Sequence, residues 1–127
     1  MGFRFSKHYT LEEARGLLPV LRPQLVQLQT LRVRLEESDN RLQKLLEEAD
    51  ALGGEPVNTW VGALAGIQSI LREFRLREIE IKDLERGLVD FPAIIGGKEV
   101  FLCWELSEDD IEFWHDLDTG YAGREPL

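Results

Sequence analysis

Residues 88–104 read LVDFPAIIGGKEVFLCW, two β-rich runs on either side of Gly96-Gly97. A pair of glycines between such runs is a strong signal for a two-residue hairpin turn. If the residues next to the glycines pair across this turn, the register places Asp90 directly opposite Cys103. The stretch therefore predicts an antiparallel β-hairpin with a defined pairing.

This register gives the hairpin two different faces, because alternate residues of a strand point to opposite sides. The first face is apolar and has to pack against other elements; it carries Val89, Phe91, Val100, Leu102 and Trp104. The second face is mixed; it carries Asp90, Phe101, Cys103 and Glu105. A mixed face either meets solvent or forms a site, and the sequence leaves both alternatives open.

Two long helices are predicted before the hairpin. Residues 10–13, TLEE, have the form of a capping box, in which the first and last side chains bond to each other's backbone amide groups. A long helix over residues 10–52 is expected, broken or kinked at Pro19 and Pro23 because proline lacks the amide hydrogen. Apolar residues with a period of 3.6 predict a second helix over residues 58–78. The two helices are expected to form an antiparallel αα-hairpin.

The first helix carries a leucine stripe with heptad spacing. Four leucines fall on position d of this repeat: Leu21, Leu28, Leu35 and Leu42. Polar Arg32 and Asp39 fall on position a, so they either set the register against a partner helix or lie at the edge of a broad globular face. Two long helices in a small chain expose much apolar surface, so the stripe is a candidate interface for a homodimer or a protein partner.

A short helix is predicted after the hairpin. Residues 107–110, SEDD, again have the form of a capping box, so the helix is expected over residues 107–117, followed by a Gly-rich tail over 118–127. The predicted fold class is mainly α, of the α+β type, in one domain over residues 1–127. It combines the long αα-hairpin, a small β-hairpin region over 79–105 and the short C-terminal helix.

Glu112 and His115 are a candidate metal site on this predicted helix. Their Glu-x-x-His spacing places a carboxylate and an imidazole one turn apart on the same helical face, as in carboxylate-bridged metal sites. Asp90, Cys103 or Asp116 would complete the ligands for a divalent transition metal, and only a homodimer could supply a second element of this kind. The alternative is that His115 forms a hydrogen bond with Asp90 or with a neighbouring carboxylate.

Composition excludes several classes of protein. The formal charge is −9, with 15 Lys and Arg against 24 Asp and Glu, so neither nucleic acid nor an anionic membrane is an expected partner. No apolar run has the length of a membrane span, so a cytoplasmic location is expected. The single cysteine excludes a disulfide framework. Phosphate-loop, Gly-x-Ser-x-Gly and His-Glu-x-x-His motifs are all lacking, so no catalytic residue is assigned and no cofactor other than the metal is expected.

Several separated blocks of the sequence form a recognisable set: residues 9–14 (YTLEEA), 82–92 (KDLERGLVDFP), 101–104 (FLCW), 113–116 (FWHD) and 120–126 (GYAGREP). Together they resemble a bacterial family catalogued as domain of unknown function 2203. The resemblance implies a compact bacterial cytoplasmic protein. It implies no reaction, substrate or catalytic residue, because the family has none assigned.

The blocks contain polar residues that a core alone does not need. Asp83, Asp90 and Arg124 are candidate ligand-binding residues, since Arg124 either clamps one of the two carboxylates or faces an anionic ligand beside His115. Two functions stay open. The first is a non-enzymatic module that acts through self-association or a protein partner along the leucine stripe. The second is a metal-binding or small-ligand-binding protein, with or without catalysis, whose site lies between the β-hairpin and the C-terminal helix.

Overall fold

A computed structural model describes residues 2–47 and 55–127. Two long helices, α1 (Leu11–Glu47) and α2 (Glu55–Leu76), precede a sheet. The strands of the sheet are β1 (Glu80–Asp83), β2 (Leu88–Ile95), β3 (Lys98–Trp104), β4 (Phe113–Asp116) and β5 (Glu125–Pro126). The fold is therefore of the α+β class, as predicted.

Helix α1 begins with the predicted capping box. The amide group of Glu13 donates to the Thr10 hydroxyl at 3.1 Å, and the amide group of Thr10 donates to the Glu13 carboxylate at 2.9 Å. These bonds from Thr10 hold the pKa of Glu13 below its usual value. Pro19 and Pro23 lie inside α1, so the helix continues through both positions. The predicted end of this helix lies outside the described residues.

The two helices run antiparallel, as predicted. Gln24 on α1 donates a hydrogen bond to Glu73 on α2, and Leu31 lies beside Gly66. Seven residues forward on α1 therefore correspond to seven residues backward on α2. A Cβ atom at position 66 would lie 2.9 Å from Cδ1 of Leu31, so a larger residue there would require the Leu31 side chain to shift. Helix α2 begins three residues before its predicted start.

One core is shared by the inner faces of the helices and of the sheet. The apolar face predicted for the hairpin lies in this core, with Val89, Phe91, Val100, Leu102 and Trp104 each at most 2% exposed. Leu21 and Leu28 are fully buried in it, and Leu35 packs against it. The side chain of Leu42 lies outside the described residues. The three leucines of the stripe whose side chains are described therefore pack within the chain, which fits their interpretation as part of a broad globular face.

The predicted hairpin is the centre of a five-stranded antiparallel sheet with the order β1-β2-β3-β4-β5. Its register is the predicted one, with Asp90 opposite Cys103. Gly96 and Gly97 form the turn with φ angles of 59° and 78°, a backbone conformation that glycine adopts without steric cost. The sheet is larger than the predicted hairpin, because β1 pairs with one of the two hairpin strands and β4 pairs with the other.

The prediction of a helix over residues 107–117 is wrong. Residues 105–112 form turns and irregular backbone, and β4 then pairs with β3. Arg22 of α1 explains the difference, because its guanidinium group donates to three backbone carbonyl oxygens within residues 106–109. A helix over residues 107–117 would need two of these oxygens, those of Glu108 and Asp109, for its own hydrogen bonds.

Candidate functional site

The outer face of the sheet, which points away from the helices, brings three ionisable side chains together. They are Asp90 of β2, Cys103 of β3 and His115 of β4, and each is at most 2% exposed. One carboxylate oxygen, the thiol sulfur and one imidazole nitrogen all lie within 4.8 Å of one another. We call these three residues the buried cluster.

Both ring nitrogens of His115 are engaged. Its Nδ1 lies 2.7 Å from the backbone oxygen of Asp116, and since a carbonyl oxygen only accepts, Nδ1 carries a proton. Its Nε2 lies 3.1 Å from Oδ1 and 3.0 Å from Oδ2 of Asp90. A proton must lie between these two groups, because both atoms are acceptors without it. The predicted hydrogen bond between His115 and Asp90 is thus confirmed, and the two residues share one proton.

Burial determines the acidity of the other members of the cluster. It raises the pKa of Asp90, while the charge of His115 acts in the opposite direction. Burial, together with the negative charge of Asp90, raises the pKa of Cys103 to about 12. The thiol is therefore protonated at neutral pH, and neither ring nitrogen of His115 is free to activate it. This arrangement does not fit a cysteine–histidine nucleophile.

A cleft of about 360 Å³, which we call the outer cleft, opens onto the buried cluster. Asp90 and His115 form its floor. Its walls are formed by Lys82, Asp83, Leu88, Leu117, Asp118, Gly120 and Tyr121. This volume lies within the range of small-molecule sites. Another cavity, of about 250 Å³, lies beside α1 and contains no residue of the cluster.

The chain after β4 forms one wall of the cleft and is held by stacked cations. The guanidinium group of Arg86 lies 4.0 Å from the centre of the Tyr121 ring. That of Arg124 lies 4.7 Å from the same ring and 4.0 Å from the Phe113 ring. Arg124 also forms an ion pair with Glu108 at 2.7 Å. These contacts fix the tail against the sheet.

A protein-family model described as "Uncharacterized conserved protein (DUF2203)" matches residues 7–127. The chain belongs to this family. The match confirms the resemblance found in the sequence blocks, and it includes the whole buried cluster and the outer cleft. No curated protein and no solved structure matches this DUF2203 chain. None of its described helices is long and apolar enough to cross a membrane.

The predicted ligand-binding residues of the DUF2203 chain lie in two places. Asp90 and Asp83 both line the outer cleft. Arg124 instead pairs with Glu108, so its guanidinium group clamps neither of the predicted carboxylates. Sequence reasoning did not select Lys82, which lies in the wall of the cleft. The available signal was the alternation of apolar and charged residues over 79–82, IEIK, which favours a strand.

The predicted metal ligands are also divided. His115 and Cys103 lie in the buried cluster, whereas Glu112 is exposed. Residues three apart point to opposite sides of an extended chain, so the Glu-x-x-His spacing has no role once this segment is not helical. For the same reason Asp116 points away from the cluster. The third member is Asp90, whose place opposite Cys103 was part of the predicted register.

Proposed function

We propose that this DUF2203 chain binds a small polar molecule in the outer cleft and recognises it through Asp90 and His115. One observation supports this proposal above all: an ionisable pair that is at most 2% exposed forms the floor of a cleft of about 360 Å³. Removing two charged groups from water is costly, and apolar side chains of similar size would pack at lower cost. Such a pair beneath an open cleft is typical of a binding site.

The walls of the cleft indicate the chemistry of the ligand. Lys82 supplies an ammonium group, Asp83 a carboxylate, and Leu88 and Leu117 supply apolar surface. A ligand that fits has one polar end for the floor and a short apolar part for the walls. Because the pair at the floor holds a shared proton, it can exchange this proton with the ligand, so a catalytic role is compatible with the proposal.

Self-association is the competing proposal. An interface along α1 cannot use Leu21 and Leu28 while both stay fully buried in the chain's own core. Among the described residues of α1, the exposed large apolar side chains are Val20, Val26 and Val33. Exposed single valines are common on monomers, and no described contact indicates what would cover them. The cleft therefore has the stronger support.

The cleft proposal is tested by filling the cleft. Leu117→Trp places a large ring there, and Val61→Trp adds the same ring to an exposed position of α2 as a matched control. Wild-type protein is titrated with small carboxylates, amines and amino acids, and amide NMR shifts are recorded. We expect shifts at Lys82, Asp83 and Tyr121 in the wild type and in Val61→Trp. In Leu117→Trp we expect affinity to fall about tenfold or more, which corresponds to a loss of about 1.4 kcal/mol.

Other results would count against the cleft. Shifts scattered over the surface, or an affinity that Leu117→Trp does not change, would contradict the proposal. A native mass spectrum of protein purified without chelator compares the two proposals directly, because it reports subunit number and bound mass together. A monomer with the added mass of an organic molecule supports the cleft, whereas a dimer without such a mass supports self-association.

A further inference from the structure

The buried cluster presents three different metal-binding atoms on one face of the sheet. Asp90 and Cys103 are direct partners on β2 and β3, and His115 lies on β4, the next strand. Their oxygen, sulfur and nitrogen atoms lie within 4.8 Å of one another. All three side chains project from paired strands, so the backbone of the sheet holds them in place before any ligand binds.

His115 is oriented as a metal ligand would be. Its Nδ1–H donates to the backbone oxygen of Asp116 at 2.7 Å, which is the kind of outer hydrogen bond that metal-binding histidines make. This bond directs Nε2 at the carboxylate of Asp90, about equally far from its two oxygens. Two acceptors at this separation need a positive centre between them. A shared proton meets this need, and a metal ion meets it equally well.

We propose that Asp90, Cys103 and His115 together bind one divalent transition-metal ion of the zinc class. Zn²⁺ accepts this mixture of oxygen, sulfur and nitrogen ligands, whereas Mg²⁺ and Ca²⁺ take oxygen ligands almost alone. Bonds to zinc of about 2.0–2.3 Å place neighbouring ligand atoms roughly 3–4 Å apart. The contact between His115 and Asp90 already has this spacing. The sulfur of Cys103 lies within 4.8 Å of both atoms and moves closer to them when the ion binds.

Charge balance supports binding at so buried a place. Without metal, the cluster consists of one proton shared by Asp90 and His115 and a neutral thiol on Cys103, so its net charge is zero. Binding of a divalent ion releases the shared proton and the thiol proton. The ion then faces one carboxylate, one thiolate and one neutral imidazole, and the net charge is again zero. The metal therefore adds no unpaired charge to the interior, where such a charge is costly.

Three protein ligands leave one position of a tetrahedral ion open, as in catalytic rather than structural zinc sites. Asp90 and His115 also line the outer cleft, so a small molecule or water in the cleft lies next to the proposed ion. This inference does not depend on the small-molecule proposal, because the cluster holds its three donor atoms whether or not the cleft binds a ligand.

The test is cobalt loading of the full chain. Protein treated with a chelator is titrated with Co²⁺ while its absorption spectrum is recorded. We expect a single cobalt ion per chain, a thiolate-to-cobalt charge-transfer band in the near ultraviolet and the visible bands of four-coordinate cobalt. Zn²⁺ is then expected to displace the cobalt and remove both sets of bands. Wild-type protein that binds no Co²⁺ would overturn the proposal.

Variants identify the ligands. Cys103→Ser preserves size and is expected to remove the charge-transfer band, and Asp90→Asn and His115→Gln are expected to weaken Co²⁺ binding about a hundredfold or more. Glu112→Gln and His8→Gln are matched controls outside the cluster and are expected to bind cobalt as the wild type does. A bound cobalt ion that is insensitive to Cys103→Ser would also overturn the proposal.

Further measurements distinguish a loss of metal binding from a loss of folding and from a change in the cleft. Near-ultraviolet circular dichroism of each variant shows whether it folds, and a rise in the wild-type Tm on addition of Zn²⁺ tests binding without any substitution. An unchanged Tm would contradict binding to the folded chain. Leu117→Trp fills the cleft but leaves the cluster in place, so we expect it to keep Co²⁺ binding even where it abolishes binding of a small molecule.

Discussion

Burial within the sheet determines the acidity of the Cys103 thiol. Burial first, and the charge of Asp90 second, raise the pKa of its thiol from 9.0 to about 12. This change lowers the thiolate fraction at pH 8 by about a thousandfold, and only the thiolate reacts readily. We therefore expect metal-free folded protein to react with iodoacetamide at least about a thousandfold more slowly than the chain unfolded in guanidinium.

The reaction is followed by mass spectrometry, and the single cysteine makes the count of added groups unambiguous. The Asp90→Asn variant is the informative comparison, because it removes the charge and leaves the burial. We expect its folded rate to rise while it stays well below the unfolded rate. Equal rates in folded and unfolded wild type would mean that Cys103 is accessible, against its 1% exposure.

Two of the three members of the buried cluster could be placed together from the sequence. The pairing of Asp90 with Cys103 follows from the Gly96-Gly97 turn, because a two-residue turn fixes the register of its strands. The place of His115 does not follow, because it depends on β4. The alternation of Ile111, Phe113 and His115 favours a strand, but a capping-box pattern just before it favours a helix, and local sequence alone cannot decide between them.

At the scale of elements, the contacts of Arg22 favour irregular backbone over a helix in the segment before β4. Arg22 donates to three backbone carbonyl oxygens within residues 106–109, and its guanidinium group lies 4.9 Å from the Trp104 ring. We expect Arg22→Ala to lower the free energy of unfolding by about 2–3 kcal/mol, because it leaves these oxygens without a charged donor. Urea denaturation measures this loss.

Two further variants test whether geometry matters as well as charge. Arg22→Lys keeps the charge but cannot reach several carbonyl groups with one planar fork, so we expect an intermediate loss. Arg34→Ala removes an exposed arginine from the same helix and is expected to change stability little. A loss for Arg22→Ala no greater than that for Arg34→Ala would show that Arg22 does not hold this segment.

The prolines of α1 show the opposite case, in which local sequence predicts a break or a kink and the helix continues through both positions. Pro19 and Pro23 are exposed, so water can bond the carbonyl groups that lose their helical donors. On the other side of the same turns, Leu21 and Leu25 are fully buried. Continuity of the helix keeps these two leucines in the core. The free energy gained by burying them depends on the sheet that covers them, and the local sequence of α1 carries no information about that sheet.

At the scale of the whole molecule, the chain before α1 lies across the outer face of the sheet and is held by two carboxylates. Glu99 of β3 accepts hydrogen bonds from the amide groups of Arg4 and Phe5, at 2.7 and 3.0 Å, and contacts Nε2 of His8 at 2.7 Å. Glu78 accepts hydrogen bonds from the amide groups of residues 6 and 7. Attachment of this segment therefore depends on these two carboxylates, together with the packing of the Phe5 ring against that of Phe101, and not on strand pairing.

This dependence predicts release of the segment in acid. The pKa of Glu78 lies below its usual value of 4.5, chiefly because of the bond from the Lys7 amide group. Burial acts to raise the pKa of Glu99, but the bonds from His8 and from backbone amide groups outweigh it, so this pKa is also lowered. A carboxyl group with a lowered pKa in the folded state stabilises the fold fully above its unfolded pKa. Its contribution is lost as the pH falls through the folded value.

We therefore expect the amide protons of residues 4–7 to lose protection from hydrogen exchange as the pH falls below 4.5, while the rest of the chain stays folded. The amide group of Tyr9 is the internal control, because it donates to the backbone oxygen of Pro92, which does not titrate. Glu99→Gln is expected to release Arg4 and Phe5 at neutral pH. Simultaneous loss of protection at residues 4–7 and at Tyr9 would indicate global unfolding instead, and would show that the two carboxylates do not act as a local anchor.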